Sequence, residues 1–362
     1  MNEAIFQHPY AMNRAAKQAF LMDELTRLTD FHKCHCEPYD HILRTVPFES
    51  EITQVEHLPY LPVQLFKMMD LRSVPKDEVI KTLTSSGTTS QQVSKIYINR
   101  ETSELQSKAL VSIVRDFIGK QRLPMIIIDT KNVIKDRKAF SARGAGIVGF
   151  SNFGRNHFYL LDDNMEIDWD GLYAFLEKYK DERIFLFGFT FMIWQYFLKV
   201  CLDKNIQLPL DNSILIHGGG WKKLSDESVS NEIFKQSLFE QFHIPLVHNY
   251  YGMVEQVGSI FMECEHGHFH TPNFADVMIR DFETLKPVMN EKRGIVQVIS
   301  ILPKSYPGHS LLTEDVGTVH GEDNCPCGRM GRHFTIEGRI PKAEIRGCSD
   351  THAFDQQNGV NM

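Results

Sequence analysis

No apolar run in this 362-residue chain reaches the roughly 18–20 residues that span a bilayer, so membrane insertion is not expected. Positive charge is short as well. Thirty-nine Lys and Arg against 46 Asp and Glu leave a net charge of −7, which gives nucleic-acid phosphates no basic face. Cysteine pairing is lacking too: seven cysteines at irregular spacings make no disulfide framework and fit a reducing cytoplasm. The start, MNEAIFQHPYAMNRAAKQAF, has no cationic stretch leading into an apolar one, as a secretory leader would. No repeat or flexible linker interrupts the chain. What is present is 42% hydrophobic and 11% aromatic residues, enough for a substantial core. The expectation is a cytoplasmic globular enzyme, with self-association left open.

Ala15, Ala19, Met22, Leu25 and Leu28 recur every three or four residues, predicting an amphipathic helix over 11–28. Five prolines between 34 and 75 predict an irregular covering segment with a short helix near Gln64–Met69. Helices and strands then alternate. A stripe at Leu105, Ala109, Leu110, Ile113, Val114 and Phe117 precedes the strand-like run Met125–Asp129. Ile184–Phe187, Ile214–His217 and Leu246–Asn249 repeat the pattern, with helices near Thr190–Leu202 and up to Phe242. Such alternation implies an α/β fold with helix-covered, mostly parallel sheet. From about 257 the texture becomes strand-rich, at Val257–Cys264, Ala275–Ile279 and Gly294–Ser300.

Several short motifs carry chemistry. Thr84-Ser85-Ser86-Gly87-Thr88-Thr89-Ser90, followed by Lys95, suits a loop that wraps phosphate with N–H groups and hydroxyls. It lacks the Walker spacing, and a solvated turn is the plainer reading. His217-Gly218-Gly219-Gly220-Trp221 sits at a predicted strand's carboxyl end, where α/β sheets collect ligands. Asn249-Tyr250-Tyr251-Gly252-Met253-Val254-Glu255 joins a ring that can stack on a base to a carboxylate that can hold Mg²⁺. Leu311-Leu312-Thr313-Glu314-Asp315 offers an acceptor for two ribose hydroxyls, or an ordinary turn. Glu337-Gly338-Arg339 through Lys342, Arg346 and Cys348 gathers cations near the last residues. Gly144-Ala-Gly146-Ile-Val-Gly149 fits the dinucleotide fingerprint, but no strand directly precedes it, so it reads as a glycine-rich loop near an acyl pocket.

Each motif is weak alone, but their order resembles the adenylate-forming superfamily of acyl-AMP ligases. More narrowly, SSGTTSQQVSK, HGGGWKKL, NYYGMVEQVGSIFMECE, SYPGHSLLTEDVG, CPCGR and GRIPKAEIRGCSD resemble the acyl-protein synthetase family, from about residue 80 to 350. The resemblance implies an adenylation core over 81–340, a helical covering segment over 1–80 and a short tail over 341–362. It further implies ATP and Mg²⁺ as cofactors. Ser86, Gly87, Thr88, Thr89 and Lys95 fall on the phosphate loop, and Gly218, Gly219 and Gly220 on the adenine side. Tyr251 with Gly252 matches the adenine-stacking element, Glu255 the Mg²⁺-linked glutamate, Asp315 the ribose aspartate and Arg339 its neighbouring arginine. The family passes its acyl group from a C-terminal cysteine, here Cys348, to an acyl reductase partner.

Three departures stand out. The usual glycine near Ser90 is missing, Lys95 lies two residues late, and Val254 replaces a threonine. The superfamily's mobile C-terminal lid, with its lysine, is expected near 340, where about two dozen residues remain, so Lys342 or a partner is expected to serve instead.

Cys264, Cys325 and Cys327 with a histidine among 266, 268 and 270 have the composition of a closed, structural zinc site; related ligases with a CxCG element resemble it, and His270 is the histidine expected to complete it. Buried inert cysteines beside a histidine-rich turn are the alternative. The cluster His32, Cys34, His35, Cys36 and His41 reads as surface decoration. The leading expectation is ATP-dependent activation of a fatty acid to acyl-AMP and transfer to the Cys348 thiol. An acyl- or aryl-CoA ligase, or a non-catalytic nucleotide-binding scaffold, are the rivals.

Overall fold

The computed structural model describes residues 3–46, 48, 52–85, 93–134, 142–220 and 229–340. The expected positions Ser86 to Thr89, Lys342 and Cys348 lie outside the described residues. Strands are β1 (Leu61–Pro62), β2 (Lys81–Thr84), β3 (Lys95–Ile98), β4 (Leu123–Thr130), β5 (Gly154–Leu161), β6 (Ile184–Phe189) and β7 (Ser213–Gly218). There follow β8 (Leu246–Tyr251), β9 (Phe261–Glu263), β10 (Phe269–His270), β11 (Ala275–Arg280), β12 (Arg293–Ser300), β13 (Ser310–Glu322) and β14 (Arg332–Arg339). Helices are α1 (Ala4–Gln7), α2 (Arg14–His35), α3 (Glu37–Thr45), α4 (Leu65–Met68) and α5 (Arg100–Ile118). The rest are α6 (Ala142–Ser151), α7 (Trp169–Lys178), α8 (Thr190–Ile193), α9 (Lys199–Asp203) and α10 (Asn231–Phe242).

Met125 to Ile128 of β4 are all fully buried, as are the residues of β6 and β7; such continuous apolar runs need cover on both faces. Helix α5 supplies cover with Ala109, Ile113, Val114 and Ile118, one face of a 3.6-residue repeat. It starts where the Asn99 side chain accepts from Thr102 N–H and stops at Gly119, whose φ of +88° no helix continues. A π-helical turn, Trp194–Leu198, links α8 to α9, so the helix expected over Thr190–Leu202 is present but locally unwound.

Among the described residues, twelve strands form one sheet in the order β11-β12-β13-β14-β10-β9-β8-β7-β6-β4-β5, with β1 parallel to β13. Strands β5, β4, β6, β7 and β8 run parallel; from β8 through β9 to β11 every pairing is antiparallel. Strand β8 is therefore the seam between a helix-covered parallel half and a β-rich half. Strands β2 and β3 make a separate hairpin.

Three expectations are corrected. Helix α2 buries Lys17, Leu21, Leu25, Leu28, Thr29 and His32, leaving Ala15 and Ala19 exposed. The reason is Lys17: its Nζ donates to Thr271 Oγ1 (2.7 Å) and carbonyl (3.2 Å) and faces Asp276 at 3.7 Å. A buried charge is tolerable when so paired, and its helix turns with it. His32 and Cys36 are core residues rather than decoration; His32 bonds Ser73 and the Pro303 carbonyl, while Cys34, His35 and His41 are exposed. Gly144–Gly149 is helix α6, not a loop. Its Gly146 packs against the Phe189 ring, where a Cβ would come within 3.1 Å.

Candidate functional site

The hairpin β2–β3 holds the two ends of the serine/threonine-rich loop together. Ser85 N–H donates to the Ser94 carbonyl (3.3 Å), and Ser94 N–H donates to Ser85 Oγ (3.0 Å). From that base the Ser94 hydroxyl donates to Glu255 Oε1 at 2.6 Å, both side chains being buried. Lys95, the next residue, is exposed at the start of β3. Glu255 lies on the short turn Val254–Gln256, anchored from below by its neighbours. Gln256 Nε2 donates to the Val298 and Gly308 carbonyls, and Val257 N–H donates to the Tyr306 hydroxyl. Ser94 lies inside the motif SSGTTSQQVSK, but nothing in the motif marks it out, because a lone serine carries no pattern.

Strand β7 ends at Gly218, and the chain then turns through Gly219 at φ +76°. Both glycines are required: a Cβ at 218 would collide with the Tyr250 ring, and one at 219 would meet Phe189 at 2.9 Å. Gly220 faces open space. Thr190 fastens this turn. Its hydroxyl donates to the Gly219 carbonyl (2.9 Å) and lies 2.9 Å from His217 Nδ1. Burial keeps His217 well below its ordinary pKa and so neutral, and with the Thr190 proton given to the Gly219 carbonyl, Nδ1–H is the donor to Thr190 Oγ1.

Strand β8 carries Tyr250 over Gly218 and, on the other face, Tyr251. The Tyr251 ring lies among Phe261, Phe269 and Phe334, with centroids 6.1–6.3 Å away. Its hydroxyl donates to Asp315 Oδ2 at 2.6 Å. Arg339 is the register partner of Asp315 across β13 and β14, with Nε 3.6 Å from Oδ1. Burial raises the Asp315 pKa against the opposing effects of Tyr251 and Arg339; burial and the Asp315 charge hold Tyr251 well above 10. Thus Tyr251, Asp315 and Arg339 meet in one place, while Glu255 is tied instead to the hairpin foot.

Beyond Tyr251, the expected metal ligands converge. One ligand atom from each of Cys264, His270, Cys325 and Cys327 lies within 4.8 Å of the others. Cys264 Sγ and Cys325 Sγ are 3.9 Å apart; Cys327 Sγ and His270 Nε2 are 3.3 Å apart. Those separations match the edges of a tetrahedron with bonds of about 2.0–2.3 Å. Without a metal, burial pushes the Cys325 thiol up to about 12 and His270 down to about 3. His270 and His333 are register partners, and the next pair along is Phe269 and Phe334, whose rings point the other way beneath Tyr251.

A parallel sheet turning antiparallel at a Tyr-Gly strand, with a glycine turn beside it, is an architecture similar to the cores of adenylate-forming ligases. Solved 2-hydroxyisobutyryl-CoA ligase shares this fold. Its open form with acyl adenylate and CoA matches at TM-score 0.69 and 16% identity, over 97% of this chain and 82% of that one. Its postadenylation form matches at 0.69 and 14%, over 92% and 70%. The chain belongs to the acyl-protein synthetase family, LuxE, whose family model matches residues 2–356. It is similar to the long-chain-fatty-acid–luciferin-component ligases of Vibrio harveyi and Aliivibrio fischeri. Both are 24% identical, over 345 and 348 residues, or 91% and 92% of this chain and 86% and 88% of those proteins. The protein is thus an enzyme that activates an acid with ATP. Among the described residues no helix is long and apolar enough to cross a membrane.

Proposed function

We propose that the chain activates a fatty acid as acyl-AMP and passes the acyl group to its own Cys348 thiol, for delivery to an acyl reductase partner in the cytoplasm. The observation that carries the nucleotide site is the Tyr251–Asp315–Arg339 group at the seam strand. In this reading Asp315 accepts from the ribose hydroxyls, Tyr251 and Gly252 with Gly218–Gly220 receive the adenine, and Arg339 sits beside the ribose. Ser86, Gly87, Thr88, Thr89 and Lys95 embrace the phosphates. The glutamate Glu255 offers hard oxygen, which suits Mg²⁺, and Ser94 holds it at the loop base. Bound Mg²⁺ would offset phosphate charge. Lys342 serves the adenylation step. Residues 1–80 cover the core, 81–340 form it, and 341–362 carry the acceptor.

A carboxylate oxygen attacks the α-phosphorus, the bond to the β-phosphate bridge breaks, and pyrophosphate leaves. The Cys348 thiolate then attacks the acyl carbon, forming a thioester as the bond to AMP breaks. Zinc fits Cys264, His270, Cys325 and Cys327 by distance and donor type; four protein ligands would close the site and make it structural.

ATP–pyrophosphate exchange across a panel of acids, paired with labelled-acyl transfer, tests this. Exchange by wild type and by Cys348→Ser, with protein labelling lost only in the variant, is expected. Labelling of free CoA with none on protein would replace this reading with the CoA-ligase one.

A further inference from the structure

The metal knuckle holds more ligands than one ion uses. Beside the four residues above, His268 and His333 each bring a ring nitrogen within 4.8 Å of the other and of Cys325 Sγ. His333 and Cys325 are only 5% and 6% exposed. The two imidazoles lie 5.0 Å apart, and His333 stacks on His270 at 5.8 Å. His268 Nδ1 and His333 Nδ1 are both buried with no hydrogen-bond partner. A buried polar atom without a partner is costly, and two imidazoles that each carry one beside a buried thiol call for a ligand. His320, also nearby, is spent: its Nδ1 faces Glu291 and its Nε2 faces Thr335.

We propose that the knuckle takes a second borderline transition ion, zinc or a similar divalent metal, at His268, His333 and Cys325, with the Cys325 thiolate bridging the two ions. This rests on the closed zinc site proposed above, because the two share Cys325. Imidazole and thiolate select zinc-like ions over Mg²⁺ or Ca²⁺. The two sites differ in kind. The first has four protein ligands; the second has three, leaving a fourth position for water or a small exogenous donor.

Metal-stripped, reduced full-length protein titrated with Co²⁺ tests the proposal, since thiolate-to-cobalt absorption reports each Co–S bond. Two equivalents per chain are expected. The His268→Ala/His333→Ala variant should hold one, and Cys327→Ser should chiefly weaken the other. Saturation of wild type at one equivalent that the double variant retains overturns the second site and leaves the first. No binding at all overturns both. A single equivalent lost in the double variant but kept in Cys327→Ser puts the ion among the histidines and also overturns the bridged pair. The wild-type stoichiometry decides even where a variant fails to fold.

Discussion

The Tyr251 hydroxyl donates to Asp315 across 2.6 Å, joining strands whose residues are 64 apart in sequence. Burial raises the Asp315 pKa, so the folded state holds that proton more tightly than the unfolded chain does. Asp315 therefore stabilises the fold below the ordinary carboxylate range, and that contribution is lost as pH rises through its raised pKa. At neutral pH, Asp315→Asn should leave Tm unchanged or slightly higher. Adenylation should nevertheless fall about tenfold to a hundredfold, the worth of a hydrogen bond to a charged group. Thermal melts and pyrophosphate exchange check both halves; a large Tm loss would show that Asp315 is there for stability.

Tyr251→Phe keeps the ring among Phe261, Phe269 and Phe334 and removes only the hydroxyl. The expected effect is a rise in KM for ATP of about three- to tenfold, one modest hydrogen bond, with kcat little changed. A matching fall in kcat with KM unmoved would place the hydroxyl in the transition state instead.

Ser94→Ala cuts the buried bond to Glu255. If Ser94 positions Glu255 for Mg²⁺, the variant should need more Mg²⁺ for half-maximal exchange and lose about tenfold in rate at low Mg²⁺. High Mg²⁺ should restore much of it. A purely structural role would lower Tm and leave the Mg²⁺ dependence where it was.

Much of the fold was legible because burial on both faces writes itself as continuous apolar runs. Strands β4, β6 and β7 fell where those runs do. Strand β13 was not, since Thr313, Glu314, Asp315 and Gly317 interrupt its pattern and its pairing with β12, β14 and β1 makes it a strand. Lys17 defeated the reading of α2, because periodicity assigns a lysine to the outside and only Thr271 and Asp276, some 250 residues on, bring it in. The four candidate metal ligands were readable from donor type, whereas His333 was hidden by its register pairing with His270. Motifs name atoms well. Partners across the sheet are set by topology, which no local pattern carries.

Acid should unfold this protein through several histidines buried in neutral form, His309 and His248 among them. His309, bonded to Thr29 at 3.0 Å, is held down to about 3 by burial and then by Lys304. His248, bonded to the Glu263 carbonyl, is held to about 4, mainly by burial. Each has an unfolded pKa near 6.5, so its contribution is complete above that value and drains away as pH falls toward 4 and 3. Between pH 7 and pH 5 each should remove about 2 kcal/mol from the unfolding free energy. Denaturant unfolding at the two pH values measures the sum. His309→Gln keeps a neutral hydrogen-bonding side chain and should recover about 2 kcal/mol of the loss at pH 5, the share of one histidine. An unchanged slope in that variant would mean that His309 is already charged in the native protein.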